Sequence, residues 1–200
     1  MLEPKQSRQQ VRSRYNIGQE ETVFCIAGRL SREKGFDLLA DAVKILNESN
    51  APAFRLLVLG DGPYRGQFSR QMEAEIENGQ VILVGQTDDV ASYLSASDVF
   101  IFPSYHENLS IALLEACASG LPCIAGNVGG NAEIIQDGKS GYLLDSLCAE
   151  AFADKAKNLI EDVPLRKQMG EYAKKDILER FSLTRMCQKI HEVYRSYGAK

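Results

Sequence analysis

Two pairs of side chains in this chain have the types and spacing to hold a charged, hydroxyl-rich ligand. The first is Arg29 with Lys34, inside Gly28-Arg29-Leu30-Ser31-Arg32-Glu33-Lys34-Gly35. Arginine offers a planar fork and lysine a compact point charge, so the two could neutralise two phosphate groups. Gly28 would let backbone approach them closely. A solvated loop with surface cations is the plain alternative.

The second pair is Glu107 and Glu115, eight positions apart across Pro103-Ser104-Tyr105-His106-Glu107-Asn108-Leu109-Ser110 and the helical run Ile111 to Ser119. With a rise of about 1.5 Å per helical residue plus an extended lead-in, their carboxylates should stand ~10 Å apart or more. That is too far for a shared proton. It also reaches or exceeds the roughly 6.5–9.5 Å between the carboxyls of an inverting glycosidase. One long ligand held at both ends matches better, with hydroxyls at the carboxylates and phosphates between them. Ser110 could cap the helix, and any N–H groups left free at its start would attract anions. A nucleoside diphosphate sugar has that order of groups. Glu115 could instead be a surface residue, although Leu113, Leu114, Ala116, Cys117 and Ala118 leave little polar face, and a buried carboxylate needs partners.

Two further loops have unusual content. Gly126-Asn127-Val128-Gly129-Gly130-Asn131-Ala132-Glu133 has paired glycines that suit either close approach to a ligand or a tight turn. Gly85-Gln86-Thr87-Asp88-Asp89-Val90 has backbone that could read a base edge, with Gln86 and Val90 as the candidate contacts. A metal at Asp88-Asp89 is the weaker idea, since acidic residues at a helix start usually complement its dipole. Neither G-x-G-x-x-G nor a Walker A loop is present, so dinucleotide enzymes and P-loop NTPases lose their usual fingerprint.

The elements that must carry these loops alternate strand and helix, the pattern of a parallel sheet wrapped by helices. Strands are expected at Thr22 to Ala27, Phe54 to Leu59, Val81 to Val84, Val99 to Phe102, Pro122 to Ala125 and Tyr142 to Leu144. Helices are expected at Asp37 to Leu46, Pro63 to Glu77 and Ile111 to Ser119, the last stopped by Gly120 and Pro122. From Leu147 the strand signal ends and three helices follow, near Leu147 to Ile160, Leu165 to Phe181 and Leu183 to Tyr197. Their aromatics Phe152, Tyr172, Phe181, Tyr194 and Tyr197 suit packing. Pro164 suits a first turn and Ser182 an N-cap. Open α/β sheets bind ligands at the carboxyl ends of their strands, where all four loops fall.

Composition narrows the classes further. A net charge of −4 argues against a general nucleic-acid binder. The basic cluster Lys5, Arg8, Arg12 and Arg14 falls in a polar leader, residues 1–21, that should be solvated. Five scattered cysteines without a C-x-x-C, and two histidines, fit neither a disulfide framework nor a zinc site. No apolar run is long enough for a membrane span or a signal peptide. A reducing, cytoplasmic setting is expected.

In this order, the pieces from about Val23 to Tyr194 resemble the C-terminal domain of retaining GT-B glycosyltransferases of the large group-one family. The most specific part is the E-x7-E stretch within Pro103 to Pro122. The resemblance implies a Rossmann-like three-layer α/β/α domain, one half of a GT-B fold, over residues 22–198. It implies that Arg29 and Lys34 meet the donor pyrophosphate and assist leaving-group departure, and that Glu107 contacts the transferred sugar. Glu115 would hold the ribose hydroxyls, and the backbone from Asn108 through Leu109 and Ser110 to Ile111 would meet phosphate and sugar. Where that family often has Gly-Phe-Gly after the first glutamate, this chain has Asn108-Leu109-Ser110. Arg29, Lys34 and Glu107 are thus the candidate catalytic residues, with no metal or other cofactor expected.

The resemblance further implies transfer of a hexosyl group, with retention, to a glycan or lipid acceptor. An N-terminal acceptor domain would be needed for turnover and is not encoded in these residues, the leader marking where an interdomain linker would end. Any membrane contact would come through that domain. Two other readings stay open: a regulatory module that binds nucleotide without catalysis, and the related GT-B sugar-nucleotide epimerase architecture. Glu107 is the discriminating feature, since a nucleotide-only binder would not need it.

Overall fold

Six short apolar runs pair side by side in the computed structural model, which describes residues 3–198. They are β1 (Thr22–Ala27), β2 (Phe54–Leu59), β3 (Val81–Gly85), β4 (Val99–Phe102), β5 (Cys123–Gly126) and β6 (Gly141–Leu144). Every pairing is parallel, in the order β3-β2-β1-β4-β5-β6. Every residue of β1, β4 and β5 is buried, as expected of central parallel strands covered on both faces. The order reverses between β1 and β4, and a crevice at such a switch point is where open α/β sheets take their ligands.

The helices are α1 (Arg8–Arg14), α2 (Phe36–Glu48), α3 (Arg65–Gln71), α4 (Glu73–Glu77), α5 (Val90–Ala96), α6 (Ile111–Ala118), α7 (Asn131–Ile134), α8 (Ala149–Glu161), α9 (Val163–Arg180) and α10 (Leu183–Gly198). They cover the sheet to give three layers, α/β/α. A buried stripe of Leu38, Leu39, Ala42, Val43 and Leu46 seats α2 against the sheet and α8, at the spacing of an amphipathic helix. Phe36 and Phe68 meet edge to face at 5.3 Å and tie α2 to α3. Gly120, with φ of 84°, ends α6 as anticipated, and Ser182 accepts the Arg185 N–H to start α10.

Three expectations need correction. Residues 7–14 do not form a solvated leader. Ser7 and Gln10 make a reciprocal capping box that starts α1, and Val11 and Arg12 are buried. The Arg12 guanidinium donates to the carbonyls of Ala96, Gly18, Gln19 and Glu21 and to Asp98. Packing and a fully used guanidinium outweigh the polarity that suggested a loose segment.

Pro63 to Glu77 is two helices rather than one. The chain bends at Met72 (φ −116°, ψ 25°), which lets Phe68 and Met72 both reach the core. The Tyr64 N–H is held by Leu30 O at 2.9 Å, so the helix starts at Arg65. Of the five C-terminal aromatics, Phe152 is fully buried, whereas Tyr172 and Phe181 are exposed. Tyr194 and Tyr197 lie on an exposed face of α10.

Candidate functional site

Glycines build the floor of the site. The Gly28 N–H donates to Leu59 O, and the Gly60 N–H to Gly85 O, so the loops after β1, β2 and β3 are laced by their backbones. A Cβ at Gly60 would stand 2.0 Å from Gly28 O, and one at Gly62 would stand 2.3 Å from Leu30 O. A Cβ at Gly28 would meet nothing. There the backbone faces a cleft of about 510 Å³, lined with Gly28 by Ala27, Leu59, Gly60, Gln86, Thr87, Asp88 and Val90. Arg29 is exposed on an adjoining opening that shares Gly28, Gly60 and Gln86.

The loops after β1 and β4 meet across the switch point. The Tyr105 N–H and Ser104 Oγ donate to Glu33 O. Gly35 begins α2 with φ of 71°, and a Cβ there would stand 2.0 Å from Pro103 O. This close approach brings Lys34 Nζ onto the Glu107 carboxylate as a charge-assisted hydrogen bond. The carboxylate is 8% exposed and the lysine side chain 27%. Lys34 also lies 5.4 Å from the Phe102 ring centroid. Opposite charge and a ring face offset the cost of taking both ions out of water.

Beyond Glu107 the chain turns into α6. Ser110 Oγ accepts the Leu113 N–H at 3.3 Å and caps the helix. Among the described residues, the N–H groups of Asn108, Leu109, Ser110, Ile111 and Ala112 donate to no protein acceptor. They are open donors at the positive end of the helix. Leu109 and Ile111 are exposed.

The paired glycines of the third loop do come close to something, and it is this turn. The Gly130 N–H donates to Asn108 O at 2.7 Å, and a Cβ at Gly129 would stand 1.6 Å from Glu107 O. Next to them Asn131 is fully buried, its amide donating to Gly126 O.

Glu115 stands apart. It is half-buried and makes no hydrogen bond through its carboxylate among the described residues, and burial pushes its pKa up. It lines a separate groove of about 410 Å³ with Ala91, Leu94, Leu114, Ala118 and the α9–α10 junction. Val90 lines the cleft and its neighbour Ala91 the groove, so the two adjoin across the first turn of α5.

The structure therefore gathers Gly28, Gln86 and Val90 around one cleft, sets Arg29 on the opening that adjoins it, and joins Lys34 to Glu107. It places Asn108, Leu109, Ser110 and Ile111 at a helix start and gives Glu115 a groove of its own. Asp88 and Asp89 are engaged by the N-terminal segment, with Lys5 Nζ 2.7 Å from Asp88 and the Lys5 N–H 3.2 Å from Asp89. Sequence reasoning passed over that segment's role. Its readable signal was the capping box Ser7-Arg8-Gln9-Gln10.

The profile of the family described as glycosyl transferases group 1 matches residues 7–176. The chain is 31% identical over 191 residues to N-acetyl-alpha-D-glucosaminyl L-malate synthase of Bacillus anthracis, covering 95% of this chain and 49% of that protein. It is 29% identical over 174 residues to the UDP-Gal:alpha-D-GlcNAc-diphosphoundecaprenol alpha-1,3-galactosyltransferase of Escherichia coli, covering 86% and 45%. It thus spans about half the length of the curated relatives it matches. Among solved structures, Anabaena HepE in complex with UDP and glucose superimposes with a TM-score of 0.84 at 22% identity, over 94% of this chain and 52% of that one. The sheet order, the layers and the profile match agree: the chain belongs to the group 1 glycosyl transferase family and has the architecture of one half of the GT-B fold.

Proposed function

We propose that this chain is the donor-binding half of a retaining glycosyltransferase that moves a hexosyl group from a nucleoside diphosphate sugar to a glycan or lipid acceptor. The observation that carries the reading is the meeting of Lys34 and Glu107 across the switch point, beside the open N–H groups at the start of α6. Cations and oriented amides are the groups that offset charge developing on a departing diphosphate. Arg29 and Lys34 would take the phosphates. Gln86 and Val90 line the cleft where a base would lie, and Glu107 would face the transferred sugar. Glu115 would take the ribose hydroxyls from its groove, reached over the first turn of α5. No metal takes part in this reading. Acceptor binding and turnover need a second domain, so this chain alone binds donor and turns over little.

Glu107 no longer separates an enzyme from a regulatory nucleotide binder, because its pairing with Lys34 gives it work in either. Ligand titration does separate them. Calorimetry with UDP, GDP and ADP and their sugars should give binding below millimolar for one nucleoside diphosphate, with further affinity contributed by the sugar. Sugar-independent binding would favour the regulatory module, and no binding at all by any of the six would sink the donor-site assignment.

A further inference from the structure

The N-terminal segment lies along α5 and grips both of its ends. At the first turn, the Lys5 N–H donates to Asp89 Oδ1 at 3.2 Å, and Gln6 Nε2 to Asp89 Oδ2 at 3.3 Å. The Gln6 N–H donates to Ser92 Oγ at 2.8 Å. At the far end, Arg8 donates to the carbonyls of Ser95 and Ser97, and Arg8 and Arg12 take the two oxygens of Asp98. The ion pair of Lys5 with Asp88 is largely exposed, 61% and 87%, and adds little. Asp89 and Ser92 are buried, so their bonds carry the grip.

The residues on either side of Asp89 form the cleft wall. Gln86, Thr87, Asp88 and Val90 all line the cleft, whereas Asp89 does not. Its N–H donates to Thr87 Oγ1 at 3.0 Å and so fixes the turn of that wall. Asp89 therefore has one set of bonds to the N-terminal segment and another to the loop that faces a ligand.

We infer that Asp89 is a positioning residue, through which residues 5–6 set the wall against which the nucleoside end of the donor packs. The inference rests on the donor-site reading above. It makes the segment before α1 part of the binding apparatus: displacing Lys5 and Gln6 frees the Gln86-to-Val90 turn, while Lys34, held by Glu107 and the Phe102 ring, stays in place.

The test compares two ligands in the intact chain. A nucleoside diphosphate reads wall and cations together, and inorganic pyrophosphate reads the cations alone. Asp89→Ala and Ser92→Ala should each lower affinity for the nucleotide that the unaltered chain binds by about tenfold, the scale of one lost hydrogen bond, and leave pyrophosphate within about twofold. Should Asp89→Ala fail to fold, Ser92→Ala, which removes the hydroxyl that accepts the Gln6 N–H and lies beside the Asp89 carboxylate, still decides the matter. Unchanged nucleotide affinity would overturn the inference, and so would equal losses for nucleotide and pyrophosphate, the mark of general loosening. If the unaltered chain binds no nucleotide, the donor-site reading has failed first and this one falls with it.

Discussion

Lys34 and Glu107 are committed to each other as an ion pair. On the proposed reading, a diphosphate would have to compete with a carboxylate for the lysine. Lys34→Ala should weaken nucleoside diphosphate binding by about 1–3 kcal/mol, the usual cost of losing a charged partner, as read by calorimetry. Glu107→Gln should act in the opposite direction on the plain nucleotide. Removing the competing anion should tighten UDP or GDP binding about threefold to tenfold, discounted for screening, while the nucleotide sugar fails to share the gain. A fall in plain-nucleotide affinity would show that Glu107 instead holds Lys34 in place for the phosphate. Glu115 has the opposite problem, a carboxylate without a partner. Burial raises its pKa, so the folded state favours the protonated form, and ionisation costs stability as pH rises through the folded value. Glu115→Gln should raise the melting temperature of the ligand-free chain at pH 7 by about 1–3 °C. The same change should weaken nucleotide binding, and a variant that gains stability without losing affinity would remove Glu115 from the site.

At the level of elements, the site depends on loops that approach more closely than side chains allow. Gly35→Ala would force a Cβ onto Pro103 O at a backbone φ of 71°. It should cost about 2–4 kcal/mol in a denaturant melt and separate Lys34 from Glu107. The strands after which these loops lie were legible from short apolar runs, with ends off by about one residue at β3, β5 and β6. The loops were legible as dense in glycine. Their partners were not. Nothing in Gly129-Gly130 says that they press on Glu107 and Asn108 rather than on a ligand, because that contact joins residues brought together only by the sheet order. The bend at Met72 was equally hidden, since both halves of Pro63 to Glu77 have helical composition. The N-terminal segment was misread because four basic residues suggest solvent, and only tertiary acceptors, Asp98 and the Ala96 carbonyl, bury Arg12.

For the molecule as a whole, acid should undo the N-terminal dock before the sheet. Burial alone would raise the Asp89 pKa, yet hydrogen bonds involving Ser92, the Lys5 backbone and Gln6 outweigh it and hold it below the ordinary value. Glu21 is likewise held low, burial being overcome by Arg55 and the Gly18 N–H. A lowered folded-state pKa means stability that is present above the unfolded value and lost as pH falls through the folded one. Hydrogen exchange should therefore show Lys5 and Gln6 amides losing protection below about pH 4, near the ordinary carboxylate value, while β1 amides stay protected. Simultaneous loss in both would show the dock and the sheet to be one cooperative unit.

The sheet order also dictates when the site can exist during folding. Strands β1, β2 and β3 follow one another in the chain and can pair from residues 22–85, but β4 must return to β1 with Phe24 beside Val99. Closing that long loop costs entropy before any contact repays it, which makes the pairing late. Lys34 and Glu107 sit on opposite sides of that seam, so their meeting marks its closure. A ligand that bridges them binds only the closed chain, and at a hundred times its Kd it should add about 2.7 kcal/mol to unfolding stability. On the proposed reading, the donor would then serve as a latch on the last step of assembly.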